Sequence, residues 1–133
     1  MNYAVIHLDF DDLESYRGFL SWIKFGLKKL DMFAKRIQCI EKRYSSSRKG
    51  GHIRMIVKCG NEKFEKEYFI FFRYFLGDCF GRIQADMQRK VIEKYFQQSI
   101  ETDTLFAYKD GKWAGPWKLI YGDKDVKELK KDM

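Results

Sequence analysis

Residues 3 to 10, YAVIHLDF, form a β-branched and aromatic run, and directly after it apolar residues recur at helical spacing. A change of period from two to about 3.6 over so few residues calls for a strand followed at once by a helix. Tyr16, Leu20, Ile23, Leu27 and Leu30 mark that helix from about 12 to 30. It opens on the acidic DDLE, which suits the positive end of a helix dipole. Residues 33 to 44 and 52 to 59 read as two further strands around the turn SSSRKGG. A second helix is expected over 62 to 76, with Phe64, Tyr68, Phe72 and Phe75 along one face and Gly77 as its terminator.

A short extended piece, RIQAD, follows, and MQRKVIEKYFQQS reads as a third helix. DTLFAYK and GPWKLIYG, separated by DGKWA, suggest a hairpin, and the charged residues 123–133 are expected to fray. The order β-α-β-β-α-β, then a helix and a hairpin, describes an α+β protein. Its expected form is a ferredoxin-like, RRM-like sheet packed with helices in one domain over 1–133. Such a sheet hosts many unrelated functions, so function must be sought in a site.

Composition narrows the partners. Aromatic residues make up 17% of the 133, including twelve Phe and eight Tyr, so a packed interior is expected rather than disorder. The formal charge of +7 favours anionic partners, nucleic acid first and an anionic membrane second. No apolar run approaches the roughly 18 residues that span a bilayer, and MNYAVIHLDF does not read as a signal peptide. A cytoplasmic protein without a membrane partner is therefore expected. Cys39, Cys59 and Cys79 lie on apolar segments without a CxxC pair, which points to buried free thiols and away from a zinc site.

Three stretches carry candidate chemistry. In LDFDD, Asp9 and Asp11 share one face of an extended chain, and their mutual repulsion would be relieved by Mg²⁺ or Mn²⁺. The alternative is that Asp11 and Asp12 cap the following helix while Asp9 merely ends a strand. In SSSRKGGH, hydroxyls, backbone N–H groups, Arg48 and Lys49 are what a triphosphate or a nucleic-acid backbone requires, and His52 enters the next strand beside them. An ordinary solvated hairpin tip has the same composition, and the GxxxxGK[ST] spacing of a P-loop is absent. In LGDCFGRIQADMQR, Asp86 ends the extended run, where it would face the same cleft as Asp9 and Asp11; surface charges or helix caps are the alternative. His7 alternates opposite to Leu8, as a hydrogen-bonded structural histidine would. It lies too far from His52 for the paired histidines of rolling-circle nickases. Trp113 and Trp117, beside Lys112 and Lys118, would either stack bases or close the core.

The three stretches in this order resemble the archaeo-eukaryotic primase superfamily, specifically small primase-like proteins of archaea and their viruses or plasmids. VIHLDFD is similar to that family's hhhDhD strand, SSSRKGGH to its S-x-H motif, and RIQAD to its hydrophobic-Asp motif. A further family pattern, L-G-D-D-P-x-R-h-x-h-D-h-x-R, is matched at Leu76, Gly77, Asp78, Arg82, Ile83, Asp86 and Arg89. The likeness covers roughly residues 3 to 90. It departs at Arg48, where the family has glycine, and at Gly51, where it has an aromatic residue.

The resemblance implies a primase-like core in which Asp9, Asp11 and Asp86 are the catalytic metal ligands. Ser47, Lys49 and His52 would bind the nucleotide's phosphates, with Arg48 and Arg82 as further candidates. It implies two-metal nucleotidyl transfer on a single-stranded DNA or RNA template from a nucleoside triphosphate, with Mg²⁺ or Mn²⁺ as cofactor. Two other readings stay open: a non-catalytic DNA- or RNA-binding protein that keeps the fold, and an interaction protein of a virus or plasmid.

Overall fold

The computed structural model of the protein describes residues 2–29, 37–60, 66–97, 99, 101–105, 108–109 and 111–131. They form an α+β domain with a four-stranded antiparallel sheet, a two-stranded ribbon and four helices. The elements are β1 (Asn2–Phe10), α1 (Leu13–Lys29), β2 (Ile37–Tyr44), β3 (Gly51–Gly60), α2 (Lys66–Phe75) and α3 (Phe80–Phe96). After these come β4 (Tyr108–Lys109), β5 (Lys112–Trp113), β6 (Lys118–Tyr121) and α4 (Val126–Lys131).

The main sheet runs in the order β1-β3-β2-β6. Alternation along β1 sends Ile6, Leu8 and Phe10 to one face, where they pack with Ile53, Met55 and Val57 of β3 and Ile40 of β2. Helix α1 covers this face with Tyr16, Phe19 and Ile23, and α2 adds Phe72. Asp12 caps α1, its carboxylate accepting from the Ser15 N–H at 2.7 Å and the Ser15 hydroxyl at 3.0 Å.

Two glycines set how closely these layers meet. A methyl group on Gly50 would fall on the Phe10 carbonyl oxygen, and one on Gly51 would fall on the Tyr16 ring. The glycine pair in SSSRKGGH thus lets β3 start beneath the β1–α1 corner.

Several expectations change. RIQAD is helical, inside α3, because Ile83 and Asp86, three residues apart, both turn inward on a helix. The expected hairpin is reduced to β4–β5, and β6 leaves it to pair with β2. Part of the tail is ordered: Val126 is buried against Cys39 and Ile56 on the second face of the sheet. Asp125 caps α4 by accepting the Glu128 N–H at 2.8 Å. On α2, Phe72 points inward but Phe75 is exposed, Ile70 and Arg73 taking the buried positions. Gly77 does end that helix, with φ of 91°. The expected helix start at 62–65 and strand start at 33–36 lie outside the described residues. Among the described residues no helix is long and apolar enough to cross a membrane.

Candidate nucleic-acid interface

The second face of the sheet is apolar at one end and polar at the other, a gradient written by period-two alternation. Val5 of β1, Ile56 of β3 and Cys39 of β2 lie together there under α4. Burial pushes the Cys39 thiol up to about 11. Two polar rows follow. Strand register aligns His7, Arg54 and Glu41 in one row and Asp9, His52 and Arg43 in the next.

In the first row Arg54 is balanced, its Nε and Nη2 each 2.9 Å from Glu41 Oε1. In the second, Arg43 Nε donates to His52 Nδ1 at 3.0 Å. Accepting through Nδ1 leaves the His52 proton on Nε2, which lies 3.5 Å from Asp9 Oδ1. Burial, with Arg43, Arg82 and His7 nearby, pushes the His52 imidazole down to about 4, so it is neutral at physiological pH. Burial and the neighbouring Arg54 also lower the Arg43 guanidinium from its usual value. Among the described residues no carboxylate lies within ion-pair distance of Arg43. Trp117, half-buried just before β6, spans both rows: its ring centroid lies 4.1 Å from the Arg43 guanidinium and 4.5 Å from that of Arg54.

Beside β1 a network of ionised side chains replaces a neighbouring strand. The His7 N–H donates to Asp103 Oδ2 at 2.9 Å and the Asp9 N–H to Asp78 Oδ1 at 2.7 Å. The Asp9 carbonyl accepts from the Cys79 N–H at 3.0 Å, and the His7 carbonyl from Arg82 Nη1 at 3.3 Å. The outward backbone groups of these two residues are therefore satisfied without a ladder. Arg82 also binds Asp78 at 2.7 Å and Asp103 at 2.8 Å. Buried Arg73 holds Asp78 at 2.8 Å and Asp86 at 2.6 Å.

This network decides the place of Asp86. Its Oδ2 accepts from Arg73 and from the Asp103 N–H, and its Oδ1 from Arg89 at 2.7 Å. Burial would raise its pKa, but these partners hold the carboxyl below its usual value. The expectation that Asp86 ends an extended run and faces the cleft of Asp9 and Asp11 is thus corrected: it lies on a helix, neutralised by two guanidinium groups. Asp11 is exposed and accepts from Cys79 Sγ at 3.0 Å. Among the described residues no group of three or more His, Cys, Asp or Glu side chains is placed to hold a metal ion. Asp9, Asp11 and Asp86, all described, do not form such a group.

The turn after β2 is largely self-satisfied. The Ser45 hydroxyl accepts the Gly50 N–H at 3.2 Å and the Ser47 hydroxyl accepts the Lys49 N–H at 3.3 Å. Arg48, at φ of 62°, folds back onto the carbonyls of Ser45 and Ala114 at 3.2 and 2.7 Å. Ser47 and Lys49 are exposed at the tip, while His52 is buried among the polar rows.

Sequence reasoning named Asp9 and His52, in separate stretches and separate roles, but passed over Arg43, Arg54, Glu41, Arg73 and Asp103. A local signal was present for Arg54, because polar and apolar residues alternate over His52, Ile53, Arg54 and Met55 in β3, whereas Glu41 and Arg43 lie in the unbroken charged run Glu41-Lys42-Arg43 of β2. Arg73 and Asp103 had no such local signal. No protein-family model matches the chain, and neither a curated protein nor a solved structure shows significant similarity to it.

Proposed function

We propose that the protein binds single-stranded nucleic acid on the polar face of its sheet, as a primase-like domain that recognises a strand without transferring nucleotides. Arg43 carries this reading. It is a partly buried guanidinium without a carboxylate partner among the described residues, set between neutral His52 and the Trp117 indole. A phosphodiester supplies the missing counter-charge, and the indole gives a base a surface to stack on. The formal charge of +7 and the exposed Lys49 on the neighbouring turn work in the same direction.

The primase-like, ferredoxin-like part of the reading draws on two features. The strand order β1-β3-β2 is that of a split β-α-β unit, and Asp9 and His52, from the first and second motifs of the likeness, are register partners. β6 beside β2, where a ferredoxin-like sheet has its fourth strand beside β1, marks a departure.

The test is fluorescence anisotropy of a labelled single-stranded oligonucleotide titrated with the protein at several salt concentrations. Trp117→Ala is expected to weaken binding by about 1–3 kcal/mol, the usual worth of one stacked base. Arg43→Gln is expected to weaken it and to flatten the salt dependence by about one phosphate contact. Unchanged affinity in both variants would overturn the proposal.

A second reading, nucleotidyl transfer with Mg²⁺ or Mn²⁺ from a nucleoside triphosphate, is favoured by one observation, the approach of His52 to Asp9 at 3.5 Å. It is separated by assaying Mn²⁺-dependent nucleotide incorporation on a single-stranded template. Incorporation that is lost in Asp9→Ala would establish transfer and displace the binding-only reading.

A further inference from the structure

Helix α3 turns only Ile83 and Asp86 fully inward, and the outer side of the α2–α3 pair is apolar. Phe71, Tyr74, Phe75, Phe80, Tyr95 and Phe96 are each 57% to 82% exposed. At about 200 Å² per aromatic side chain, these six alone present on the order of 800 Å² to solvent. Summed exposed aromatic area on this scale is comparable with the roughly 800 Å² that each partner brings to a standard interface.

We infer that the protein is a two-fold homodimer whose copies meet through this α2–α3 face. The shape of the surface selects a second copy as its occupant. A hollow of about 180 Å³ opens between the helices, lined by Ile70, Phe71, Met87 and Val91 with Lys90 and Lys94 at its rim. One helical turn beyond Val91, Tyr95 stands 82% exposed, its ring 5.2 Å from that of Phe96. Hollow and plug therefore lie on one helix, and such a surface is complementary to itself under a two-fold rotation. In an antiparallel α3–α3 pair, residues equidistant from the axis face each other. An axis at Val91 sets Tyr95 of each copy against Met87 of the other, at the hollow. The rim tolerates this approach because Lys90 is neutralised by Glu93 at 3.2 Å. The polar rows lie on the sheet rather than on this face, so each copy keeps its own.

The test is sedimentation equilibrium of the full chain over a wide concentration range, with Val91→Glu and Tyr95→Ala as variants and circular dichroism as the check on folding. The expected mass is 32 kDa, twice the 16.0 kDa of one chain, falling to that of one chain in both variants with helicity unchanged. In parallel, Val91→Cys is expected to oxidise to a covalent dimer on a non-reducing gel, whereas Lys112→Cys on the β4–β5 ribbon is not. A wild type that stays monomeric overturns the inference and assigns the face to a different protein or to lipid. Folded variants that stay dimeric place the interface elsewhere and overturn it equally. If the variants unfold, the cross-link decides: failure at position 91 refutes the antiparallel pair.

Discussion

His52 makes acid sensitivity a test of the polar rows. Its folded-state value of about 4 lies below the ordinary 6.5, so between these limits the unfolded chain binds more protons than the native one. Stability from this residue is therefore complete above about pH 6.5 and is lost progressively as pH falls towards 4. The drop from 6.5 to about 4, at about 1.4 kcal/mol per tenfold change in proton affinity, sets a ceiling of roughly 3.5 kcal/mol. Asp9 Oδ1, 3.5 Å from Nε2, favours the protonated ring and trims this to about 2–3 kcal/mol. The perturbation is His52→Gln, which keeps an acceptor for Arg43 and a donor towards Asp9 but does not titrate. Urea unfolding followed by tryptophan fluorescence across this range gives free energies for both proteins. The wild type is expected to lose about 2–3 kcal/mol more than the variant on acidification, with a steepest slope near 1.4 kcal/mol per pH unit. Parallel curves would refute the argument that burial holds His52 neutral.

Removing Asp86 leaves the buried Arg73 guanidinium undercompensated, so Asp86→Ala is expected to cost about 3–5 kcal/mol in chemical denaturation. A metal ligand with no structural task would leave stability unchanged. Gly51→Ala drives a methyl group into the Tyr16 ring and is expected to destabilise by about 1–3 kcal/mol, with partial recovery when Tyr16→Leu is added. Deleting residues 123–133 uncovers Cys39 and Ile56, so the Cys39 thiol, inert in the whole chain, becomes open to an alkylating reagent. Equal labelling rates would show that α4 does not cover it.

The strands and the first helix were legible in the residues because each writes its pattern locally. Alternation in β1 and β3 separates Leu8 from Asp9 and Ile53 from His52, and the DDLE start carries its own cap in Asp12. The pairing of Asp9 with His52 was not legible: they end β1 and begin β3, with α1 and β2 between them in the chain, and only the strand order β1-β3-β2 sets them side by side. Nor was the role of the glycine pair in SSSRKGGH, because a phosphate turn and a crowded corner ask for the same residue. Only the Phe10 carbonyl and the Tyr16 ring, brought up by the packing of α1, distinguish them.

Tertiary structure also decided the fate of RIQAD. Its apolar residues allow strand or helix, and no local rule chooses between them. The choice comes from Arg73, whose buried charge requires Asp86, and from the outer edge of β1, already satisfied by Asp78, Cys79, Arg82 and Asp103. Asp103 is 96 residues from the His7 N–H it accepts. Periodicity reports which face a residue turns to its own element's neighbours. It carries no information about which distant charge will share a buried site, and that pairing turned Asp86 from an expected metal ligand into a buried counter-ion.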